Sequence, residues 1–429
     1  MAIKPSHILG MNSRYRYTKL NPRSARLYGF SKLKTKELLQ AHNISTANIY
    51  HVFKSLSDLE NVNWETIPTP FVIKPASGSA GKGIWIIKEK VPDQLVWLNH
   101  NREPLTDEDL SLHVSNILDG EFSTWGNQYQ ALVEEMIPPH PILGKYAYRG
   151  TPDVRVVVFN SVPVMVELRI PTKESAGKAN LDQGAIGLGV DIATGITTYG
   201  IKGKREAITH FPGTKKKVNG IRIPQWNQVL KIAVEAANAA GFVFMGADIF
   251  IHPEKGPMIV ELNGFPGLSI QLANRAGLKK RIERVEGIEV RNAEHGCKIG
   301  QALFAESFAD NIKAEEGLKI ISTKPKIKVF GDHKQNEIVP SMVNTGRFRS
   351  AISEQLADEL GLVDLEDLLW QQQESSEGKV PVVPVSIRIM NHTINTAMIV
   401  TKKLDRRSHK IELGRRDLGG FLVGETEEE

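Results

Sequence analysis

The chain has 429 residues, which exceeds one ordinary hydrophobic core and predicts two or three domains. Hydrophobic residues make up 41% of it and charged residues 24%, and no apolar run approaches the roughly 20 residues needed to span a bilayer. The N-terminus lacks the apolar core of a signal peptide, and the single Cys297 cannot form an internal disulfide. These features exclude a membrane-spanning or disulfide-rich class and favour a cytoplasmic protein.

The formal net charge is +5, and basic residues concentrate in segments 201–217 and 279–284. Such clusters occur in nucleic-acid-binding proteins. These two lack interleaved aromatic residues, and they equally suit a solvated surface or contacts with phosphates and acidic substrates. Nucleic-acid binding is therefore the weaker interpretation.

The first elements of the chain have contrasting patterns. Residues 1–30 are rich in Arg and Tyr and are predicted to be irregular. From Ser31, a possible N-cap, the leucines of "SKLKTKELLQAHNI" fall on one helical stripe. The segment 70–87 predicts a strand, a Gly-rich turn and a second strand.

The middle of the chain alternates strands and one long helix. Segment 130–137 predicts a strand, and 153–170 predicts two strands around a turn. A helix is expected over 224–241, where Pro224 suits a first turn and Gly241 a C-terminal cap. Two strands joined by the turn "HPEKGP" follow it.

The last part of the chain has a different pattern. Helical sequence returns around 299–316. Cys297, just before it, is expected to be a small buried residue. Segment 318–326 is predicted to be a linker, followed over 327–424 by short strands and the helix "SEQLADELGL". The acidic tail 425–429 is expected to be frayed.

Two carboxylates and an amide are predicted to share one face of a strand pair. Because strand side chains alternate, Glu261 and Asn263 share a face, and Asp248 reaches it if its strand pairs through "HPEKGP". Buried carboxylates need a neutralising cation, and Mg²⁺ prefers such oxygen ligands together with nucleotide phosphates. We therefore predict a Mg²⁺ site, in which Mn²⁺ could substitute. The alternative is that Glu261 and Asn263 simply end a strand and enter a turn.

The Gly-rich segment "KPASGSAGKGI" (74–84) is neither a Walker A loop nor a dinucleotide fingerprint, because both of those motifs open a helix. A Gly-rich hairpin tip can still place backbone N–H groups over phosphates and move as a lid. Lys74 would lie beneath it as a fixed positive charge. The alternative is a flexible turn without a ligand.

Eight segments in this order resemble the RimK-type family of amino-acid ligases and their α-L-glutamate ligase-like relatives, within the ATP-grasp superfamily. Over roughly residues 8–315 they are "KLKTKELLQAHNIST", "FVIKPASGSAGKGI", "LVEEMI", "DVRVVV", "VELRIP", "KANLDQGA", "GADIFI" and "VELNGFPGL". The resemblance implies an α/β ATP-grasp fold whose two lobes clasp ATP.

The resemblance also implies roles for individual residues. Phosphate contacts fall to Lys32 and Lys74, and the loop that closes over the nucleotide contains Ser77, Gly78, Ser79, Gly81 and Gly83. Adenine would lie against Glu135 and the backbone of Met136 and Ile137, with Asp153 near the ribose. The transferring phosphate and acyl group would meet Arg155, Arg169, Lys178 and Asn180. Two Mg²⁺ ions would be held by Asp248, Glu261 and Asn263.

The implied reaction joins a carboxylate to an amine. The substrate carboxylate attacks the γ-phosphate of ATP to give an acyl phosphate, and an amine then displaces phosphate to form an amide. Such transfers depend on positioning and charge neutralisation. The expected substrates are an amino acid such as glutamate and a peptide, protein or small-molecule acceptor.

Two features depart from the family pattern. Only about 30 residues precede Ser31, where ATP-grasp enzymes usually carry a larger N-terminal domain, and Ser31 replaces the usual acidic residue. The surface that binds the acceptor, and the choice of Lys32 over Lys36, are therefore left open.

Residues 327–424 resemble the retropepsin-like domain of an ATP-dependent zinc protease family found near such ligases. Asn344, Thr345 and Gly346 stand where that family has Asp-Thr-Gly. Aspartic proteases need two carboxylates sharing a proton, which an amide cannot supply. We expect a proteolytically inactive domain, retained for substrate docking or for homo-oligomer formation.

The predicted organisation is an ATP-grasp ligase domain over residues 1–317, the linker 318–326, the retropepsin-like domain 327–424 and the tail. Two rival functions remain. One is an ATP-binding sensor that has lost transfer, although a pure sensor would not need Arg155 and Arg169. The other is an RNA- or ribosome-associated scaffold using the basic segments.

Overall fold

The computed structural model describes residues 4–77, 81–122, 130–304, 319–331, 336–363, 368–374, 377–390, 392–419 and 421–424. The predictions for Gly78, Ser79, the helix beyond residue 304 and the tail 425–429 lie outside these residues. The chain divides into two compact units, residues 1–190 with 197–285, and residues 191–196 with 286–429. Within the described ranges, no helix is both long enough and apolar enough to cross a membrane.

The helices of the first unit confirm two of the sequence predictions. They are α1 (Met11–Thr18), α2 (Arg23–Phe30), α3 (Lys32–Ala41), α4 (Leu56–Glu60), α5 (Asp107–Leu118), α6 (Pro141–Gly144), α7 (Trp226–Ala240), α8 (Ile270–Asn274) and α9 (Leu278–Glu283). Ser31 caps α3 by accepting a hydrogen bond from the Lys34 amide at 3.3 Å. Gly241 ends α7 in the left-handed region. Pro224, predicted in the first turn of α7, instead precedes its N-cap, Gln225.

The first unit contains a six-stranded antiparallel sheet. Its strands are β1 (Ile49–Phe53), β2 (Phe71–Pro75), β3 (Trp85–Lys90), β4 (Val96–Asn99), β5 (Pro104–Thr106) and β6 (Ala131–Glu135), in the order β1-β6-β2-β3-β4-β5. The predicted hairpin over 70–87 is confirmed, with Ile73 opposite Trp85. A core that includes Phe53, Phe71 and Trp97 packs between this sheet and α5.

The second sheet of this unit has seven antiparallel strands. They are β7 (Asp153–Phe159), β8 (Val162–Ile170), β9 (Ile186–Val190), β10 (Thr197–Lys202), β11 (Glu206–Ile208), β12 (Phe244–His252) and β13 (Gly256–Asn263), in the order β11-β10-β9-β8-β7-β12-β13. The predicted strand pairs 153–170 and 242–263 are both confirmed. The helix α7 contacts β12 and β13.

The expectation that residues 1–30 are irregular is wrong, because α1 and α2 form there. Neither helix has a side-chain N-cap, so local sequence gives a weak signal. Tertiary contacts supply the stability. The buried Asn21 accepts hydrogen bonds from the amides of Val243 and Phe244 at 2.9 and 2.8 Å and donates to the Phe244 carbonyl at 2.7 Å.

The second unit is mostly β. It contains α10 (Ala293–Phe304), β14 (Lys319–Ile321), β15 (Lys326–Phe330), β16 (Asn336–Val343), β17 (Ala351–Ser353), α11 (Glu354–Glu359), β18 (Trp370–Glu374), β19 (Gly378–Ile389), β20 (His392–Thr401), β21 (Ile411–Leu413) and β22 (Phe421–Val423). Its large sheet has the order β15-β16-β21-β17-β20-β19-β18, and β15 also pairs with β19, so the sheet closes on itself. The predicted strands and the helix within "SEQLADELGL" are confirmed, but β19 and β20, with 12 and 10 residues, are longer than the short strands expected.

Two details of this unit bear on the sequence analysis. Segment 318–326, predicted to be a linker, includes β14, which pairs in parallel with β22, and the first residue of β15. Cys297 is buried on α10, as expected.

Candidate functional site

One row of charged residues crosses the second sheet of the first unit. In strand register, Glu261 lies opposite Asp248, Asp248 opposite Arg155, and Arg155 opposite Glu167. Directly opposed side chains on neighbouring strands have Cβ atoms roughly 5 Å apart. The predicted pairing of Asp248 with Glu261 through the "HPEKGP" turn is confirmed, so the two carboxylates share one face.

Two arginines hold Asp248 in place. Arg155 donates from Nε and Nη2 to the two carboxylate oxygens of Asp248, both at 2.7 Å. Arg169 Nη2 lies 2.8 Å from Asp248 Oδ2. Burial raises the pKa of Asp248, but the two guanidinium groups outweigh it and hold that pKa at about 2. Asp248 is therefore an anion throughout the physiological pH range.

Asp153 belongs to the same cluster. It lies opposite Arg169, whose Nε and Nη2 donate to its two oxygens, both at 2.5 Å. Burial raises the pKa of Asp153, Arg169 opposes that shift, and the nearby Asp248 carboxylate adds to it. Asp153, expected near the ribose, thus lies within the arginine cluster and orients Arg169.

Glu167 completes the cluster and was missed by the sequence analysis. Its side chain is 1% exposed, and its Oε1 has no hydrogen-bond partner within the described residues. Burial raises its pKa to about 7, although Arg169 and Arg155 lower it. A Cβ at Gly187 would approach Glu167 Oε1 to 2.3 Å, so that glycine makes room for the carboxyl. The available signal was its alternation with Arg169 in "VELRI".

A second ion cluster lies on the first sheet around Glu134. Lys74 Nζ donates to Glu134 Oε1 at 2.5 Å, and Lys36 Nζ lies 3.0 Å from Glu134 Oε2. Lys36 also donates to Thr46 Oγ1 and to the Ala47 carbonyl, both at 3.0 Å. Burial lowers the pKa of Lys36, but Glu134 counteracts this shift. Lys36 is thus committed to a buried structural role.

Lys32, the predicted phosphate-binding lysine, differs from Lys36 in its position. It begins α3 and its amide donates to the Ala76 carbonyl at 2.8 Å, which places it beside the Gly-rich segment. Burial lowers its pKa, while the Glu261 carboxylate raises it. Lys32 therefore lies within electrostatic reach of both Glu261 and Lys74.

The described parts of the Gly-rich segment need glycine for steric reasons. Gly81 and Gly83 have φ of 66° and 68°, in the left-handed region. A Cβ at Gly83 would meet the Phe122 ring at 2.7 Å, and one at Gly81 would meet the Lys178 side chain at 3.4 Å. Ser77 is half-buried at the other end of the segment. The hairpin thus brings Gly81 against the predicted catalytic Lys178.

The remaining predicted residues have structural contacts of their own. Glu135 accepts from the side chain of Asn48 at 2.9 Å and contacts Lys255. The Met136 amide donates to the Pro70 carbonyl at 3.4 Å, and the Ile137 carbonyl accepts from Thr151 Oγ1 at 3.3 Å. Asn180 and Asn263 each accept from a backbone amide two residues later, that of Asp182 at 2.9 Å and that of Phe265 at 2.8 Å.

The metal-ligand prediction can be compared with the donors present. Within the described residues, no three His, Cys, Asp or Glu side chains cluster as metal ligands. The predicted set is of another kind, since it joins two carboxylates with the Asn263 amide, and all of its donors are oxygens. Oxygen donors fit Mg²⁺.

Comparison with known protein families shows which family the chain belongs to. The family of sugar-transfer associated ATP-grasp proteins matches residues 10–287, which is more than half of the chain.

The chain belongs to this ATP-grasp family.

The chain is also similar, more weakly, to individual proteins. An uncharacterized ZPR1-like protein of Pyrococcus horikoshii is 25% identical over 217 residues, which cover 50% of this chain and 81% of that protein. A D-alanine–D-alanine ligase from Bacillus anthracis is 12% identical, covers 65% of this chain and 74% of its own, and has a TM-score of 0.36. An L-amino acid ligase from Bacillus licheniformis is 12% identical, covers 62% and 49%, and has a TM-score of 0.35.

The match confirms the ATP-grasp part of the sequence prediction. The family signature spans both sheets and both ion clusters, which lie between residues 32 and 263. The RimK-type relationship and the retropepsin-like nature of the second unit stay predictions.

Replacing Glu134 with glutamine tests the first-sheet cluster. Glu134→Gln leaves Lys36 and Lys74 buried without a counter-ion, and we expect the free energy of unfolding to fall by about 3–5 kcal/mol. Denaturant unfolding of the full chain measures it. The matched control is Glu65→Gln, which removes the exposed pair with Lys90 and should cost less than about 1 kcal/mol. Equal effects of the two substitutions would contradict the structural role of Glu134.

The raised pKa of Glu167 predicts that the folded state loses stability as the pH rises. Because the folded state retains its proton to a higher pH than the unfolded state, Glu167 lowers stability progressively as the pH rises from 4.5 to about 7. Glu167→Gln cannot ionise. The difference between the free energy of unfolding of the Glu167→Gln variant and that of wild type should therefore increase by on the order of 3 kcal/mol from pH 5 to pH 8. Parallel stability curves for the two proteins would refute the shift, and exposed Glu206→Gln is the control.

Proposed function

We propose that the protein is an ATP-dependent carboxylate–amine ligase that forms an amide through an acyl-phosphate intermediate. The observation that carries this proposal is the buried row in which Arg155 and Arg169 surround Asp248 beside Glu261. Such a row concentrates positive and negative charge where a phosphoryl group and its metal would lie. Membership of the ATP-grasp family supports the nucleotide as ATP.

Nucleotide binding is assigned to the face of the first sheet that carries the Gly-rich hairpin. Lys32 and Lys74 would contact the phosphates, and the loop 77–83 would cover them. Lys74 is already oriented by Glu134, so its charge is fixed before the nucleotide arrives. Glu135 and the backbone of Met136 and Ile137 would border the adenine.

The metal site is assigned to Asp248, Glu261 and Asn263, for two Mg²⁺ ions or for Mn²⁺. When bound, these ions would neutralise phosphate charge. Asp248 is an anion held by two arginines, so it would share its carboxylate between the guanidinium groups and a metal. Its low pKa means that no proton has to leave this carboxylate first.

The proposed reaction depends on positioning of the substrates and needs no covalent intermediate with the protein. A carboxylate oxygen of the substrate attacks the γ-phosphorus, the bond from the γ-phosphorus to the bridging oxygen breaks, and ADP leaves. The amine nitrogen then attacks the acyl carbon, phosphate leaves, and the nitrogen loses a proton. Arg155 and Arg169 would meet the charge that develops on the transferring group, with Lys178 and Asn180 at the reacting end.

The substrate proposal is an amino acid such as glutamate, joined to an amine of a peptide, protein or small molecule. The ordered motifs that resemble RimK-type and α-L-glutamate ligase-like proteins support it. We place the protein in the cytoplasm. Nucleic acid is not among the proposed partners.

Trapping the acyl phosphate with hydroxylamine tests the ligase without knowledge of the acceptor. The full chain, Mg²⁺, ATP and each amino acid should yield a hydroxamate together with ADP and phosphate. Glu261→Ala should lower the rate by at least about 100-fold, since it removes a metal-facing carboxylate. The control is Glu254→Ala in the exposed turn of the same hairpin. ATP binding without turnover for any acid would favour the alternative, an ATP-binding sensor or scaffold.

The second unit is proposed to be a retropepsin-like domain without proteolytic activity, used for docking or for homo-oligomer formation. Asn344 follows β16, which pairs in parallel with β21. Its Nδ2 donates to Glu412 Oε2 at 3.0 Å, and its Oδ1 accepts from the Gly346 amide at 3.1 Å. The amide thus acts as a donor to a carboxylate, which an ionised aspartate could not do.

Peptidase activity of the full chain tests this assignment. Without ATP or Mg²⁺ we expect no cleavage of a casein or peptide-library substrate, because an amide cannot activate water. Cleavage by wild type that Asn344→Ala abolishes would overturn the inactive-domain proposal. The comparison variant is Asn395→Ala on β20, which lies away from Asn344 in the strand register.

A further inference from the structure

A cavity of about 690 Å³ lies between the N-terminal helices α1 and α2 and the end of β13. Lys19, Arg23 and Arg26 line one part of it, and Asn263 and Phe265 line another. Its volume is within the range of small-molecule sites. Of the described residues that line it, Asn263 belongs to the proposed metal set, and none is among the residues proposed to contact the nucleotide itself.

Buried contacts fix the walls of this cavity. Asn21 fastens the α1–α2 connection to the start of β12 through hydrogen bonds with Val243 and Phe244. Arg14 donates to the Pro266 carbonyl at 3.0 Å and lies 3.7 Å over the Phe265 ring. A Cβ at Gly29 would come within 3.2 Å of the Gly264 amide, so α2 packs directly against the end of β13. The site is thus built by side chains that are themselves held.

The charge of the cavity is one-sided. Among the described residues, three cations line it and no aspartate or glutamate does. In the part of the chain that the structure describes, no carboxylate pairs with Lys19, Arg23 or Arg26. Arg26 donates to the Asn21 carbonyl at 3.3 Å, and Lys19 lies 4.7 Å from the Tyr15 ring centre. Arg155, Arg169, Lys36 and Lys74, in contrast, all have carboxylate partners.

The cavity adjoins the predicted reaction centre. Asn263 contributes both to the cavity and to the proposed metal set, and Glu261 lies two residues earlier on the same face of β13. Phe30 and Phe265 are 76% and 46% exposed and offer apolar surface between the cations and Asn263. A ligand could therefore place one acid group near Asn263 and another near the arginines.

We propose that this cavity binds the carboxylate substrate of the ligase, and that this substrate carries a second negative group recognised by Lys19, Arg23 and Arg26. The second group is a carboxylate or a phosphate, because either accepts charge-assisted hydrogen bonds from arginine. The inference rests on the proposed ligase activity, since it names the substrate class of that site.

The test compares acids that differ in charge. L-glutamate, L-aspartate and O-phospho-L-serine are paired with L-glutamine, L-asparagine and L-serine in the hydroxylamine assay. We expect turnover only with members of the doubly acidic set, and the carboxylate and phosphate members identify the second group. The double variant Arg23→Gln/Arg26→Gln should raise KM for that acid by about tenfold or more, with KM for ATP unchanged.

Two further variants make the result specific. Arg23→Lys/Arg26→Lys keeps the charge and should recover part of the affinity. Arg16→Gln, exposed on α1 and absent from the cavity, is the control and should behave as wild type. Unchanged KM in the glutamine variant, or equal turnover of the neutral partners, would overturn the proposal.

Direct binding separates the failure of this inference from the failure of the ligase. Saturation-transfer NMR measures binding of the same acids to the full chain with Mg²⁺ and a non-hydrolysable ATP analogue. Binding that the glutamine variant loses, in a protein that forms no hydroxamate, would support the anion site and reject the ligase. Hydroxamate formation with neutral acids would support the ligase and reject the anion site. Absence of binding by every acid in the set would refute the site.

Discussion

The buried ion pairs of Arg155 and Arg169 with Asp153 and Asp248 are the constraint on which the rest of the first unit depends. Four charges lie on one face of a sheet, where desolvation makes any unpaired member costly. Each arginine therefore has to be matched by a carboxylate, and the alternating geometry of neighbouring strands supplies that match. The same arrangement fixes the guanidinium groups in space before any ligand binds, as electrostatic catalysis of phosphoryl transfer requires.

The need to pair buried charges also applies to the lysines near Glu134. Lys36 and Lys74 both pair with Glu134, and Glu134 and Glu261 both raise the pKa of Lys32. The ammonium group of Lys36 also donates to Thr46 and to a backbone carbonyl. Lys74 shares Glu134 and begins the Gly-rich segment, while Lys32 lies at the start of α3. One buried glutamate thus neutralises both Lys36 and Lys74, and Lys74 is the one proposed to contact phosphate.

The N-terminal helices α1 and α2 carry the cations that line the proposed substrate cavity. They are short, and their stability comes from Asn21 and Arg14, which bond to backbone atoms of the second sheet and of the loop after β13. In the described part of the chain, Lys19, Arg23 and Arg26 have no carboxylate partner, in contrast to the arginines of the second sheet. These cations are the reason for the proposal that the cavity binds an anionic ligand.

Much of the molecule followed from local sequence. The alternation of "VELNGFPGL" placed Glu261 and Asn263 on one face, and the turn "HPEKGP" paired Glu261 with Asp248. Ser31 and Gly241 marked ends of helices, because strand periodicity and caps act over only a few residues. The order of the motifs predicted the ATP-grasp family. Tertiary structure alone decided the rest. The helices of residues 1–30, the buried role of Lys36 and the raised pKa of Glu167 all arise from groups far apart in the chain, whose burial and pairing no local pattern encodes.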